Sequence, residues 1–115
     1  MHKIHTDTDY FVDITNIAEE DVISAVEYIT NVLGAPTAAS NMLDEIDKKE
    51  KILEKTPEIY PFVSDEYLAR KGVKFAKIKN YKLFYIINEE EKIVTVIRFL
   101  YSKRDWQNIL KDAVI

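Results

Sequence analysis

The sequence contains no cysteine, which excludes disulfide bonds, cysteine-ligated zinc sites and a thiol nucleophile. Only two glycines are present, so a glycine-rich phosphate-binding loop cannot be built. No apolar run approaches the roughly 20 residues that span a bilayer. The N-terminus also lacks the apolar core of a secretory signal. These absences predict a cytoplasmic protein that has no membrane partner.

Histidine is scarce as well, and both copies fall in the N-terminal tail. His2 and His5 are the only histidines, and two ligands on a flexible tail make a weak metal site. No Ser/His/Asp arrangement and no pair of catalytic carboxylates can be recognised. The sequence therefore predicts no metal and no cofactor. Its length predicts a flexible N-terminus over 1–9 and a single domain over 10–115.

Charge is distributed unevenly along this acidic chain of 115 residues, whose net charge is −4. Residues 1–70 carry 6 Lys/Arg against 15 Asp/Glu, a net −9, whereas residues 71–115 carry 10 against 5, a net +5. This polarity indicates an anion-binding surface on the C-terminal half, for a phosphate backbone or an acidic partner protein. The alternative is that lysines only cover the solvent face of a sheet.

Two amphipathic helices are predicted in the first half of the chain. Asn16 is placed to cap the first helix with Glu19 three residues later, and Gly34 ends it. Pro36 opens the second helix and Pro57 closes it. The buried faces are predicted to comprise Ala18, Val22, Ala25, Val26, Ile29, Val32 and Leu33, and then Ala39, Met42, Leu43, Ile46 and Leu53. The short connection predicts an antiparallel helical hairpin.

The remaining segments are typical of strands. Alternation and β-branched or aromatic residues predict strands at Tyr10–Ile14, Val73–Lys79, Tyr81–Ile87 and Ile93–Tyr101. Glu58–Lys71 is predicted to be a connecting segment whose aromatic residues pack down, and Asp105 to cap a short final helix. The predicted order is β-α-α-β-β-β-α, an α+β fold with the helical hairpin packed on one face of an antiparallel sheet.

Arginine and lysine in the last strands are the most informative residues. Arg98 lies in an apolar strand and is predicted to share a face with Val94, Val96 and Leu100. A hairpin that pairs Ile87 with Ile93 would place Lys82 directly opposite Arg98. Like charges in that position cost stability, so an anion or an unseen carboxylate is expected nearby. The predicted anion- or target-binding residues are Lys77, Lys79, Lys82, Arg98, Lys103 and Arg104. For Lys77 and Lys79 the preferred interpretation is the solubilising one, and for Arg98 and Arg104 it is a functional role.

The order of these features resembles the RelE/ParE toxin superfamily of bacterial type II toxin–antitoxin systems. The resemblance rests on Ala-Glu-Glu-Asp and Tyr-Ile in the first helix and Ala-Pro-Thr-Ala-Ala at the start of the second. Later in the chain it rests on Pro57-Glu-Ile-Tyr-Pro61, the segment Asn80–Ile87, and the run from Val96 to Trp106. It covers roughly Tyr10 to Leu110.

The resemblance implies a growth-inhibiting toxin that is neutralised by a cognate antitoxin. In this superfamily the RelE branch cleaves mRNA on the ribosome, and the ParE branch inhibits DNA gyrase without being a nuclease. Exposed apolar surface makes a homodimer plausible when antitoxin is absent.

The ending of the chain separates the two branches. A RelE-like nuclease would use Lys82, Arg98, Tyr101 and Arg104 as its catalytic residues. RelE-type nucleases carry a Tyr or His near the C-terminal end, where this chain reads Trp-Gln-Asn-Ile-Leu. Lys-Arg-Asp-Trp is more similar to the ending of ParE-like members, so gyrase inhibition without enzymatic activity is expected. The alternatives are a ribosome-dependent mRNA endonuclease and a relative that binds antitoxin but has lost toxicity.

Overall fold

The computed structural model describes residues 9–114. The predicted tail over 1–9, with both histidines, therefore lies outside the described residues apart from Asp9. A single sheet has the order β1-β4-β3-β2. Its strands are β1 (Phe11–Ile14), β2 (Lys74–Ile78), β3 (Tyr81–Asn88) and β4 (Ile93–Tyr101). The α+β fold is confirmed. The sheet is mixed rather than purely antiparallel, because β1 pairs with β4 in parallel.

The helical hairpin consists of α1 (Asn16–Glu27) and α2 (Pro36–Lys55) and covers one face of the sheet. The predicted cap of α1 is wrong by one residue, because Thr15 occupies the N-cap position. Its Oγ1 accepts a hydrogen bond from the backbone N–H of Ala18 at 3.2 Å. Both residue types cap helices well. The sheet determines which of the two residues is the N-cap, because the Thr15 N–H donates to the Val96 carbonyl where β1 ends.

A π-helical turn over Tyr28–Val32 follows α1 and changes which side chains are buried. An i→i+5 hydrogen bond adds a residue to the turn, so later side chains rotate away from the expected stripe. Ile29 stays buried, whereas Val32 and Leu33 are 67% and 58% exposed. The prediction that both belong to the core is wrong. On α2, Leu43 is also exposed, and the rest of the predicted face is buried.

A second apolar cluster fills the opposite face of the sheet, beneath two short helices, α3 (Glu66–Arg70) and α4 (Trp106–Ala113). The helix α3 was not predicted; Asp65 caps it by accepting from the Leu68 N–H at 3.1 Å. The connecting segment does pack down, through Val63, Leu68 and the aromatic Tyr60. Its other two aromatic residues, Phe62 and Tyr67, remain 53% and 39% exposed, contrary to prediction. The cluster consists of Val63, Leu68, Val73, Phe84, Leu100, Trp106 and Leu110.

Two side chains of the sheet hold the backbone that follows α2. The hydroxyl of Tyr85 donates to the Pro57 carbonyl at 2.5 Å, and burial raises the pKa of this phenol above its usual range. The ammonium of Lys74 donates to the Tyr60 carbonyl at 2.9 Å and lies 3.9 Å from the ring centroid of Phe62. Lys74 is consequently a buried cation that is satisfied by carbonyls and an aromatic ring.

A β-bulge between β3 and β4 sets the register at the far end of the sheet. Phe84 pairs with Arg98 whereas its neighbour Tyr85 pairs with Val96, so Ile97 is the extra residue. Beyond the bulge the alternation is reversed. Val94, Val96 and Phe99 face the helical hairpin, while Leu100 faces α4. The predicted common face for Val94, Val96 and Leu100 is therefore wrong. Within residues 9–114, no helix has the length and apolar character needed to cross a bilayer.

Candidate functional site

The cationic residues of the C-terminal half gather where the β2–β3 turn meets the end of β4. Lys79 and Asn80 form this turn between two directly paired strand residues. The Ser102 N–H donates to the Asn80 carbonyl at 2.7 Å, which ties the end of β4 to the turn. Lys79 has a φ of +54°, a conformation that is uncommon for a residue with a Cβ atom. Lys92, in the turn between β3 and β4, has a φ of +57° as well, so the β2–β3 turn is a candidate because of the cations around it rather than because of its conformation.

A cavity of about 430 Å³ opens beside this turn, and we call it the lysine cavity. Four of the predicted cations line it, namely Lys77, Lys79, Lys82 and Lys103, together with Phe75, Asn80, Tyr101 and Ser102. No carboxylate is among these lining residues. Phe75, Asn80 and Ser102 were not among the residues predicted from the sequence. Their position around the turn is the only signal that could have identified them.

Lys82 has a different neighbour from the predicted one. It pairs with Leu100 on β4, and on its other side it lies directly opposite Lys77 of β2. The predicted pairing with Arg98 is wrong because the register differs by one residue and the bulge adds another. The Lys82 ammonium lies 4.7 Å from the ring centroid of Phe75 and 4.9 Å from that of Trp106. Two aromatic faces thus hold this cation on the α4 side of the sheet.

Arg98 is bound to a carboxylate of α1. Its Nε donates to Asp21 Oδ2 at 2.7 Å, and its Nη2 donates to Asp21 Oδ1 at 2.9 Å. Asp21 Oδ2 also accepts from the Phe99 N–H at 3.0 Å. These hydrogen bonds raise the pKa of Arg98 against the opposing effect of burial. The side chains of the two partners are only 16% and 12% exposed.

The acidic run Glu19–Asp21 falls where the sequence predicts the solvent face of the first helix, and for Asp21 this prediction of solvated surface is wrong. The sequence did carry a signal, because Asp21 lies three residues after Ala18 and four before Ala25, both of which are buried. That spacing places it on the inner face of α1. A carboxylate on an inner face requires a partner, and Arg98 is that partner.

A larger groove of about 810 Å³ lies on the other side of the turn, between the helical hairpin and the sheet, and we call it the hairpin groove. Arg104 is exposed and borders it. The Tyr81 ring stacks on Phe99 at a centroid distance of 5.0 Å and meets Tyr101 edge-on at 5.7 Å. Burial raises the pKa of Tyr81. The lining comprises Asp21, Ser24, Ala25, Tyr28, Ile29, Leu33, Ala35, Ala38, Met42, Lys79, Asn80, Tyr81, Phe99, Leu100, Tyr101 and Arg104.

The predicted anion- or target-binding residues therefore lie in three different environments. The lysine cavity has four lysines, and the hairpin groove has Arg104. Arg98 borders neither of them. Lys79 and Tyr101 border both, so the two concavities form one continuous surface around the turn. Such a surface offers cations and aromatic rings on one side and an apolar groove on the other.

Solved structures share this fold at low sequence identity. A chromosomal ParDE toxin–antitoxin system from P. aeruginosa is 15% identical, covers 84% of this chain and 99% of that chain, and has a TM-score of 0.66. A free-state double arginine-to-alanine variant of the E. coli toxin RelE is 16% identical, covers 90% and 97%, and has a TM-score of 0.63. The isolated E. coli RelE toxin is 17% identical, covers 90% and 98%, and has a TM-score of 0.53. These likenesses establish the fold.

Sequence comparison establishes the family. No curated protein matches the chain closely enough to be counted as a relative. The family described as ParE toxin of type II toxin-antitoxin system, parDE, matches residues 12–106, which is most of the chain. The match begins in β1 and ends at the first residue of α4. The chain belongs to the ParE toxin family of type II toxin–antitoxin systems, within the RelE/ParE superfamily.

Proposed function

We propose that this protein inhibits growth by binding an essential bacterial machine in the cytoplasm, with DNA gyrase as the nominal target, and that a cognate antitoxin neutralises it. Membership of the ParE toxin family supports the toxin role. The P. aeruginosa relative in fold is part of a ParDE toxin–antitoxin system, which supports an antitoxin partner. The target is then held by surface complementarity and no bond is cleaved.

The observation that carries this proposal is that the Arg98 guanidinium is already paired with the Asp21 carboxylate. A nuclease needs free cations aimed at the scissile phosphate, where charge develops in the transition state. Both guanidinium donors that face Asp21 are already bound to its carboxylate at 2.7 and 2.9 Å. Lys82 lies between two rings on the α4 side, and Arg104 borders the hairpin groove. This dispersal favours a binding surface over a nuclease centre.

The hairpin groove is the surface that we assign to the antitoxin. Its floor is apolar, with Ile29, Met42 and Phe99, and its rim exposes Tyr28 and Leu33 at 50% and 58%. Apolar surface of this kind on a monomer commonly marks an interaction site. Arg104 and Lys79 at the rim would favour an antitoxin segment that pairs apolar side chains with acidic ones.

A second candidate function is supported by the lysine cavity. Four lysines surround one space that Tyr101 also borders, and this is a suitable environment for a phosphodiester. In a ribosome-dependent endonuclease, the lysines would bind the scissile phosphate and Tyr101 would take part in proton transfer. Arg104 would stabilise the leaving group from the adjoining groove. This candidate makes a different prediction for mRNA.

Two assays on the purified full-length chain separate the candidates. The first measures supercoiling by gyrase, and the second maps mRNA 5′ ends in a reconstituted translation reaction. We expect dose-dependent inhibition of supercoiling and intact message. Arg104→Ala is the test variant. The matched control is Lys48→Ala, because Lys48 is 71% exposed on α2 and pairs only with Glu45 among the described residues.

The outcomes are distinct. New 5′ ends within ribosome-bound codons that disappear in Arg104→Ala and persist in Lys48→Ala would overturn gyrase binding in favour of the nuclease. Normal supercoiling together with intact mRNA and unimpaired growth would indicate a relative that has lost toxicity. For the antitoxin, Leu33→Asp should abolish growth rescue by the protein encoded beside this chain. Unchanged rescue would refute the assignment of the groove.

A further inference from the structure

Two lysines face each other across neighbouring strands, and no counterion for them is found within residues 9–114. Lys77 of β2 and Lys82 of β3 are direct partners in the antiparallel register. Like charges in this arrangement repel, because directly opposed Cβ atoms are only about 5 Å apart. Within residues 9–114, no salt bridge reaches Lys77, Lys79, Lys82 or Lys103. Five other cations within residues 9–114 form salt bridges, among them Arg98 with Asp21 and Lys55 with Asp9.

Ser102, which lines the same cavity beside Asn80, has a hydroxyl that lacks a partner. Its oxygen is shielded from solvent and makes no hydrogen bond to the described part of the chain. Buried polar groups are normally paired, so an unpaired one requires an explanation. An anion in the cavity would neutralise the opposed lysines, and a ligand oxygen that displaces part of the cavity wall would accept from this hydroxyl.

Lys79 is a further lysine of this cavity and lies in the β2–β3 turn. Its φ of +54° is a conformation that residues with a Cβ atom rarely adopt. Lys92, in the turn between β3 and β4, has a φ of +57° and does not line the cavity, so this conformation by itself does not mark a ligand site. Lys79 contributes to the site through its charge.

We propose that the lysine cavity binds a phosphomonoester dianion carried by a molecule of nucleotide size. Four lysines and no carboxylate line this cavity, and such a lining matches a doubly charged group better than the single charge of a phosphodiester. The volume of about 430 Å³ exceeds the needs of a free inorganic ion and falls in the range of small-molecule sites. Phe75 and Tyr101 line the same space, so a base bound there would lie next to aromatic side chains. A phosphomonoester in this cavity is compatible with inhibition of gyrase, and it competes with the endonuclease candidate, which assigns the same lysines to a phosphodiester.

The test uses AMP as the probe and isothermal titration calorimetry of the full-length chain at constant ionic strength. Adenosine lacks the phosphate, and inorganic phosphate lacks the base. The dinucleotide ApA carries only an internal diester, whereas pApA adds a terminal monoester. We expect AMP to bind at least tenfold more tightly than adenosine, and pApA at least fivefold more tightly than ApA. These ratios distinguish a free nucleotide or a 5′-phosphorylated end from the backbone of a nucleic acid.

Three variants connect binding to the cavity. Lys77→Gln should weaken AMP binding at least tenfold, and Ser102→Ala two- to fivefold. Lys48→Gln on α2 is the matched control and should leave it unchanged. Lys77 is exposed, so its removal does not disturb the core. The melting temperature of each variant, measured by circular dichroism, separates lost binding from lost folding. Lys82→Gln is less suitable, because it also removes the contacts with Phe75 and Trp106.

The pH dependence gives a further criterion. A phosphomonoester loses its second negative charge below its second pKa of about 6, whereas a diester keeps one charge throughout. AMP affinity should therefore fall at least threefold between pH 7.5 and pH 5.5, and ApA affinity should not. Equal binding of ApA and pApA would overturn the proposal in favour of a nucleic-acid backbone. No binding of AMP up to 5 mM to the folded chain, or equal binding to Lys77→Gln, would also overturn it.

Discussion

Replacing Asp21 by alanine should destabilise the protein more than any other single change of a charged residue in α1. Asp21 accepts three hydrogen bonds, two from the Arg98 guanidinium and one from the Phe99 N–H. The variant Asp21→Ala leaves all three donors without this acceptor. It also leaves the Arg98 side chain, which is 16% exposed, as an uncompensated and largely buried charge.

The expected magnitude follows from these contacts. Removing one partner of a buried ion pair costs about 3–5 kcal/mol, and the partial exposure of this pair lowers the figure. The better helix propensity of alanine returns about 0.5 kcal/mol. We expect a net loss of about 2–4 kcal/mol in the free energy of unfolding. For 115 residues the entropy of unfolding is about 0.24 kcal/mol/K, so the melting temperature should fall by about 8–17 °C.

Urea denaturation followed by circular dichroism measures this change, and an exposed ion pair provides the control. Arg70 and Glu66 form a salt bridge of 2.7 Å on α3, with side chains 67% and 86% exposed. Glu66→Ala should cost no more than about 0.5 kcal/mol. The double variant Asp21→Ala/Arg98→Met should be more stable than Asp21→Ala, because it removes the buried charge that the single variant leaves behind.

Two results would refute this reasoning. A loss below about 1 kcal/mol for Asp21→Ala would mean that solvent reaches Arg98 readily. Additive effects in the double variant would mean that Asp21 and Arg98 do not interact energetically. Either result would also remove the observation on which the preference for a binding toxin rests.

Three further changes test other parts of the fold. Gly34→Ala should lower the free energy of unfolding by about 1 kcal/mol in urea denaturation, since the φ of Gly34 is +63° and no atom lies within 4 Å of the added Cβ. An unchanged free energy of unfolding would contradict the left-handed conformation of Gly34. Tyr85→Phe should cost about 1–2 kcal/mol, because the Pro57 carbonyl loses its donor, and an unchanged urea midpoint would refute that bond. A backbone N–H of α3 and, to a smaller extent, Lys111 lower the pKa of Asp65. Its charged form therefore stabilises the fold above its usual pKa of about 3.9, and this contribution is lost as the pH falls through the lowered value. Asp65→Asn should consequently reduce the difference in stability between pH 7 and pH 3, and an unchanged difference would contradict this.

Local patterns were sufficient for the larger elements. The three- and four-residue spacing of apolar positions predicted α1 and α2, and Pro36 placed the start of α2 correctly. Alternation predicted all four strands to within about two residues at each end. Exceptions arose where a local signal was ambiguous. Thr15 and Asn16 are both good caps, and α3 is too short to show a period.

The candidate site was predicted less completely. Composition along the chain correctly located the excess of cations, and four of the predicted lysines do surround one cavity. The opposition of like charges was also predicted, but with the wrong partner for Lys82. A hairpin register depends on a bulge that no turn residue signals, and a shift of one residue moves a side chain to the other face.

Residue type and spacing along the chain are local properties, and they were enough for the helices, the strands, the α+β class and the charge asymmetry. Contacts between distant residues depended on the tertiary structure. Asp21 and Arg98 are 77 residues apart, and their pairing required α1 to pack against the edge of β4. The parallel addition of β1, the π-helical turn and the division of the cations between two concavities have the same origin. Each of these features depends on packing against a surface that other parts of the chain form. A short segment of sequence is therefore not enough to predict them.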